Sequence, residues 1–179
     1  MSLRVLTDRR ALVAGGLVSL FSGSGALARP SLANTAAFAS QGVSPGTIVI
    51  SQRQRRLYFT QYDGSAISYP IAVGRAGKAW SGWAYVEGKH VFPAWSPPAE
   101  VKRDNPRLPD VIPGGAPNNP MGARALTLNL REIAIHGTSA SMRSSIGSAA
   151  SYGCIRMYNE DIIDLFNRVS VGTRVLSTL

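Results

Sequence analysis

The chain has 179 residues, with 19 lysines and arginines against 10 acidic residues, a net charge of +9, one cysteine and two histidines. A lone thiol excludes an internal disulfide, and His90, His136 and Cys154 fit no zinc-ligand spacing. The length sets one domain as the expectation, and the basic excess favours anionic partners over a plain solvated surface only if other evidence supports them.

Arg4, Arg9 and Arg10 precede an apolar stretch, residues 11–27, that is broken by Gly15, Gly16, Gly23 and Gly25. Ala26-Leu27-Ala28 supplies small residues at a cleavage position, so residues 1–28 read as a signal peptide. A membrane anchor is the alternative. A span needs about 20 strongly apolar residues, so no stable membrane span is expected. Asp8-Arg9-Arg10-Ala11-Leu12-Val13 resembles a twin-arginine export signal. An exported chain belongs in the periplasm or cell envelope, where nucleic acid is a poor partner and a carboxylate-rich envelope polymer a better one. Without Arg4, Asp8, Arg9 and Arg10 the remainder keeps a charge of +7. Its roughly 150 residues bury about 70% of their unfolded surface, enough for a core.

Residues 29–45, rich in Ala, Ser and Gly, read as a linker; residues 46–179 form the folded domain. Ile48 and Ile50 alternate with Val49 and Ser51, and Leu57-Tyr58-Phe59-Thr60 follows. An Asp63-Gly64 turn then leads to the run from Ile67 to Val73. Short strands with turn punctuation indicate an antiparallel sheet. Residues 74–82 are a Gly-rich loop, with no helix pattern behind it to make a phosphate site. Residues 91–120 hold eight of the prolines, which makes regular structure improbable there. Trp95 and Phe92 in that segment are costly to leave in water, so it is expected to fold over the sheet and wall a cleft.

Leu126-Thr127-Leu128-Asn129-Leu130 and Ile133-Ala134-Ile135-His136 alternate as strands. In the second, Ile133 and Ile135 share one face while Ala134 and His136 share the other. The serine-rich residues 139–147 read as a flexible loop. Residues 159–169 form a helix with Asn159 as N-cap, Glu160 and Asp161 in the first turn, and a core stripe of Ile162, Leu165, Phe166 and Val169. Residues 171–176 read as a last strand.

Cys154 and His136 are the two parts of cysteine-based acyl transfer, each in a Gly-flanked segment. A thiol at its ordinary pKa is a few per cent thiolate at neutral pH, and a neighbouring imidazole raises that fraction by taking the proton. Backbone N–H groups beside the nucleophile serve a developing oxyanion, and Gly153 lets substrate approach the main chain. Arg156, two residues beyond Cys154, shares its face on a strand and can clamp a carboxylate. Tyr152 reads equally as packing or as cleft wall. His90 has no such context and reads as a surface residue or as one standing behind the site.

His136-Gly137-Thr138, Ile146-Gly147 and Ser151-Tyr152-Gly153-Cys154-Ile155-Arg156-Met157 resemble the catalytic domain of the L,D-transpeptidases. Pro113-Gly114-Gly115 and the run from Asn119 to Leu126 continue the resemblance upstream. Asn159, Asp161, Leu165, Arg168-Val169 and Gly172-Thr173 continue it downstream. It implies a mainly β fold, a short twisted sheet of sandwich or barrel-like form, with one helix after the cysteine loop. It also implies a cysteine transpeptidase of peptidoglycan needing no cofactor. Cys154 would be the nucleophile, His136 the proton donor and acceptor, and the Gly137 carbonyl would orient His136. Ser151, Tyr152, Gly153, Arg156 and Arg124 would shape the substrate and oxyanion site. The donor would be a tetrapeptide stem and the acceptor a diaminopimelate amine or a protein. Many relatives carry His where this chain has Tyr152, which bears on pH dependence and acceptor choice. Two other readings stay open. Water or a free D-amino acid could resolve the thioester, giving carboxypeptidase or exchange activity. A non-enzymatic envelope-binding module with an inactive site is the third.

Overall fold

The computed structural model describes residues 31–34 and 42–179; the expected signal peptide at 1–28 lies outside them. The strands are β1 (Ser31–Asn34), β2 (Ile48–Ser51), β3 (Arg56–Thr60), β4 (Ser65–Pro70), β5 (Val73–Gly74) and β6 (Gly82–Val91). They continue with β7 (Arg124–Leu128), β8 (Ala134–His136), β9 (Ala149–Ser151), β10 (Ile155–Arg156) and β11 (Arg174–Thr178). Among the described residues, two helices, α1 (Ala99–Asp104) and α2 (Asn159–Arg168), and a 3₁₀ turn at Ala140–Ser145 complete the elements. The mainly β class and the helix after the cysteine segment are as expected.

Nine strands make one sheet in the order β1-β4-β3-β2-β11-β6-β7-β8-β10, and β5 with β9 make a second, two-stranded one. β6 joins the two halves. Its residues Gly82 to Tyr85 pair with β11, and Val86 to Val91 pair with β7 across a bulge at Glu87. A bulge bends its strand and increases the local twist, which lets one strand serve both halves. Within the stretch read as linker, Ser31–Asn34 pairs antiparallel with β4.

The core gathers Ile48, Ile50, Leu57, Tyr69, Ile71, Val86, Leu126, Ile135, Ile155, Met157, Ile162 and Leu165, all fully buried. The helical stripe holds: Ile162, Leu165 and Val169 are buried and Phe166 packs against the same cluster. Lys89 Nζ donates to the carbonyls of Phe166 and Val169, each at 2.6 Å, where a cation suits the helix C-terminus.

Three local expectations are corrected. The N-cap of α2 is Tyr158, not Asn159, and no side chain caps it. The proline-rich segment does hold a helix, α1, placed in the proline-free stretch between Pro98 and Pro106. Proline is tolerated at a helix start, and the residue before a proline disfavours the α conformation, so this is where a short helix fits. The Ser-rich stretch expected as a flexible loop is largely the 3₁₀ turn. Among the described residues no helix is long and apolar enough to cross a membrane.

Asp161 on α2 is 1% exposed, and neither carboxylate oxygen has a hydrogen-bond partner. Burial first, then the charges of Glu160 and Asp164, push its pKa up to about 7. The folded state therefore holds this proton more tightly than the unfolded chain. Stability is lost as pH rises from the ordinary carboxylate range through 7. Asp161→Asn is expected to melt at least about 3 °C above the wild type at pH 8 and to lose that advantage by pH 4, in paired thermal melts.

Candidate active site

β10 runs parallel to β8, with Ile155 abreast of Ile135 and Arg156 abreast of His136. Ile135 and Ile155 enter the core at zero exposure. The pleat then turns Ala134 and His136, with Cys154 and Arg156, to the opposite face. Cys154 lies beside Ala134, one diagonal step from His136. Strand spacing and rise make that step about 8 Å between Cα atoms.

His136 is buried, and its Nδ1 lies 2.6 Å from the Gly137 carbonyl oxygen. A carbonyl only accepts, so the proton is on Nδ1 and Nε2 carries the lone pair. Burial, then the charge of Arg156, pulls the imidazole pKa down to about 4; the Gly137 and Pro120 carbonyls pull the other way. The Cys154 thiol moves in the opposite sense. Burial pushes it above its ordinary value, more than the Ala134 amide and the Arg156 charge lower it. At neutral pH both groups are uncharged. Sγ points to the Glu132 carbonyl oxygen at 3.4 Å, and among the described residues no hydrogen bond joins it to His136. The pair is thus a thiol beside a neutral base, not the charge pair that the spacing of a thiol and an imidazole suggests. Glu132 adopts φ +60°, a conformation non-glycine residues rarely take, at the turn that brings its carbonyl to the thiol.

The loop before Cys154 is held from three sides. Ser151 Oγ donates to the Cys154 carbonyl at 2.6 Å and accepts from the Gly153 amide at 3.1 Å. Trp80 Nε1 donates to the Gly153 carbonyl at 3.2 Å. Gly153 has φ +125°, a conformation that disfavours any side chain, and a Cβ there would also displace the end of the Ile133 side chain, 2.7 Å away at Cδ1. The Gly153 amide is engaged by Ser151, which makes Ser151 a residue that shapes the loop and removes that N–H from service to an oxyanion.

Tyr152 is outside the lining of the cleft that holds Cys154. Its hydroxyl donates to Asp104 Oδ2 at 2.8 Å, and the Arg75 guanidinium stacks 3.9 Å from its ring. Arg75 also reaches Asp104 at 3.2 Å, and Lys78 pairs with Glu100. Tyr152 thus ties α1 to the Gly-rich loop. Arg156 is half-buried, with only Ser145 Oγ at 3.5 Å and no carboxylate partner among the described residues. Arg124 lies elsewhere, over Phe92 and Phe166 with its Nη1 on the Ala123 carbonyl, outside the lining of the cleft that holds Cys154. His90 is exposed at the surface, with Nε2 3.3 Å from Thr127 Oγ1.

That cleft has a volume of about 710 Å³. Residues 129–134 form its floor with Cys154, and Trp95, Pro97, Pro98 and Met121 its wall, as expected for the proline-rich segment. Trp95 is pinned by reciprocal backbone bonds with Ile112. Asn159 is the residue that helix-capping logic misplaced. Its Oδ1 accepts from the amides of Ala123 at 3.0 Å and Thr138 at 3.2 Å, while Nδ2 donates to the Thr138 carbonyl at 3.0 Å. A Cβ on Gly122 or Gly137 would fall 2.3 or 2.2 Å from Oδ1. Asn159 therefore clamps the strand end that carries His136, and two glycines make room for it. An Asn two residues past an Arg-Met pair, with Gly122 and Gly137 available elsewhere, was the signal.

Residues 45–176 match the family described as the L,D-transpeptidase catalytic domain. Escherichia coli YbiS, named a probable L,D-transpeptidase, is 41% identical over 74% of this chain and 44% of its own length. The probable L,D-transpeptidase ErfK/SrfK of Salmonella typhimurium is 38% identical over 82% of this chain and 50% of its own length. The chain thus spans about half the length of these curated relatives. The L,D-transpeptidase of Mycobacterium smegmatis superposes with TM-score 0.59 over 74% of this chain and 58% of that one, at 14% identity, a likeness of fold.

Two outcomes test the site geometry. Alkylation of Cys154 by iodoacetamide is expected to rise steadily with pH up to 9, without the acid-side plateau of a thiolate–imidazolium pair, and to be unchanged at pH 7 in His136→Ala. Asn159→Ala leaves two amides without acceptors and is expected to cost about 2–4 kcal/mol in urea unfolding.

Proposed function

The chain belongs to the L,D-transpeptidase catalytic domain family, and from that membership we propose that it forms peptidoglycan cross-links through a Cys154 thioester. What supports the reading most is that the β8–β10 pairing puts Cys154, His136 and Arg156 on one face, with Cys154 lining an open cleft. Arg156, a half-buried cation without a carboxylate, offers a bidentate site for a carboxylate of the donor stem. The thiol turns from Glu132 toward His136 Nε2 and gives up its proton there. Sulfur attacks the carbonyl of the diaminopimelate residue at stem position three. With the Gly153 amide engaged, the Cys154 amide is the adjacent donor for the oxyanion. Collapse breaks the C–N bond, and the His136 imidazolium returns the proton to the departing D-Ala amine. An acceptor amine then attacks the thioester, loses its proton to His136, and sulfur leaves to be reprotonated. Neutral His136 suits the first step, because a base must arrive without a proton.

The acceptor of this proposal is a diaminopimelate amine, giving a 3→3 cross-link, or the amine of an envelope protein. Residues 46–179 constitute the catalytic domain, and residues 1–28 direct export to the periplasm.

Incubating the protein with disaccharide-tetrapeptide is expected to add the acyl mass to Cys154, release D-Ala and yield a dimer. Cys154→Ala should show no adduct and at least about a 10³-fold loss of turnover. Unchanged turnover in Cys154→Ala sinks the mechanism. Tripeptide without dimer, read by mass, replaces cross-linking by hydrolysis.

A further inference from the structure

β6 presents Trp83, Tyr85 and Glu87 on one face, alternating with the buried Ala84 and Val86. Trp83 is 44% exposed and Tyr85 47%, although large aromatics are usually drawn into cores. They line an open groove of about 290 Å³ with Asn129, Gly172 and Arg174. The Arg174 guanidinium sits 4.0 Å from the Trp83 ring centroid, and Arg174 is abreast of Tyr85 in the β11–β6 pairing. Asn129 lines this groove and also the cleft of Cys154. Its Oδ1 accepts from the Tyr85 backbone amide at 2.8 Å, and the Asn129 backbone N–H donates to the Tyr85 carbonyl at 3.1 Å. Glu87, next on the same face of β6, lines the cleft too. The two depressions are therefore joined by a track about 13 Å long from Trp83 to Glu87, set by strand rise.

We propose that Trp83, Tyr85 and Arg174 form a sugar-binding subsite that holds the glycan strand of the substrate polymer while its stem peptide lies in the Cys154 cleft. The proposal rests on the transpeptidase reading for the identity of the polymer. A pyranose has an apolar C–H face and a hydroxyl edge. Two half-exposed aromatic rings with an arginine and an asparagine at their border match both. A protein partner fits poorly, because a stable interface needs about 800 Å² on each side, far more than two half-exposed rings provide. Continuity with the cleft through Asn129 and Glu87 favours a ligand that is one molecule with the peptide. Arg174 held over Trp83 keeps both groups ordered before the sugar arrives.

The test uses two readouts on the folded protein, with thermal melts confirming that each variant remains folded. The first is calorimetric titration of Cys154→Ala with the β-1,4-linked hexamer of N-acetylglucosamine, a probe that carries no peptide. Binding is expected, and Trp83→Ala, Tyr85→Ala and Arg174→Ala, each added to that background, should weaken it about tenfold. Trp83→Phe should keep most of it. The second readout compares turnover of free tetrapeptide with that of polymeric peptidoglycan in otherwise wild-type protein. Trp83→Ala and Tyr85→Ala should raise KM for the polymer about tenfold and leave turnover of the free peptide unchanged. No binding of the hexamer, or equal losses on both substrates, overturns the proposal. Hexamer binding that persists while no donor acylates Cys154 would sink the transpeptidase reading and leave the sugar site standing.

Discussion

The parallel pairing of β8 with β10 is the constraint on which the rest depends. It is only two residue pairs long, yet it decides which face each reactive group occupies. A slip of one residue would exchange Ile155 with Cys154 and bury the thiol in the core. So short a ladder cannot hold its register unaided. Ile135 and Ile155 anchor it from the core side, and the Met157 amide closes it onto the His136 carbonyl at 2.8 Å. Arg156 makes reciprocal backbone bonds with Ala72, joining the pair to the residue just before β5. Asn159, from the first turn of α2, then fixes the exit of β8. The helix that follows Cys154 is thus part of the machinery that aims His136.

Burial shapes the chemistry as much as proximity does. Taking an imidazole and a thiol out of water favours the neutral form of each, so their pKa values move apart and no standing charge pair forms. Arg156 remains as the positive group on that face and is only partly shielded. Its field opposes protonation of His136 and favours a thiolate, so the cation assists the two events of deprotonation unequally. A carboxylate arriving at Arg156 would neutralise that field and make the imidazole a better proton acceptor. In the proposed mechanism, donor binding and base strength would in this way be linked through one guanidinium.

The parts legible in the sequence were those governed by local pattern. The β2–β3–β4 meander followed from alternation and the Asp63-Gly64 turn, and the α2 stripe followed from helical spacing. Trp95 in the cleft wall followed from the cost of an aromatic in a proline-rich loop. β6 was not legible, because its bulge resets the alternation after Val86 and places Gly88 and charges inside the strand. β9 and β10 were not legible either. They are two or three residues long and exist through partners about 20 to 80 positions away, a tertiary effect that overrides local propensity. Asn159 was read by its helix-capping tendency, whereas distant backbone groups at Ala123 and Thr138 claim its side chain. Arg124 stood in a run that matches the family, but the pleat of β7 sends it toward Phe92 and Phe166.

β11 lies at the centre of the sheet, parallel to β2 on one side and antiparallel to β6 on the other. The strands it joins are separated in sequence from it by more than eighty residues, so its insertion closes long loops and comes at a high entropic cost. Until residues 174–178 arrive, the half carrying β2, β3 and β4 and the half carrying β6, β7 and β8 lack the β2–β11–β6 ladder that makes them one sheet. The half that carries the cleft around Cys154 is thus complete in sequence before the strand that ties it to the β2–β3–β4 half.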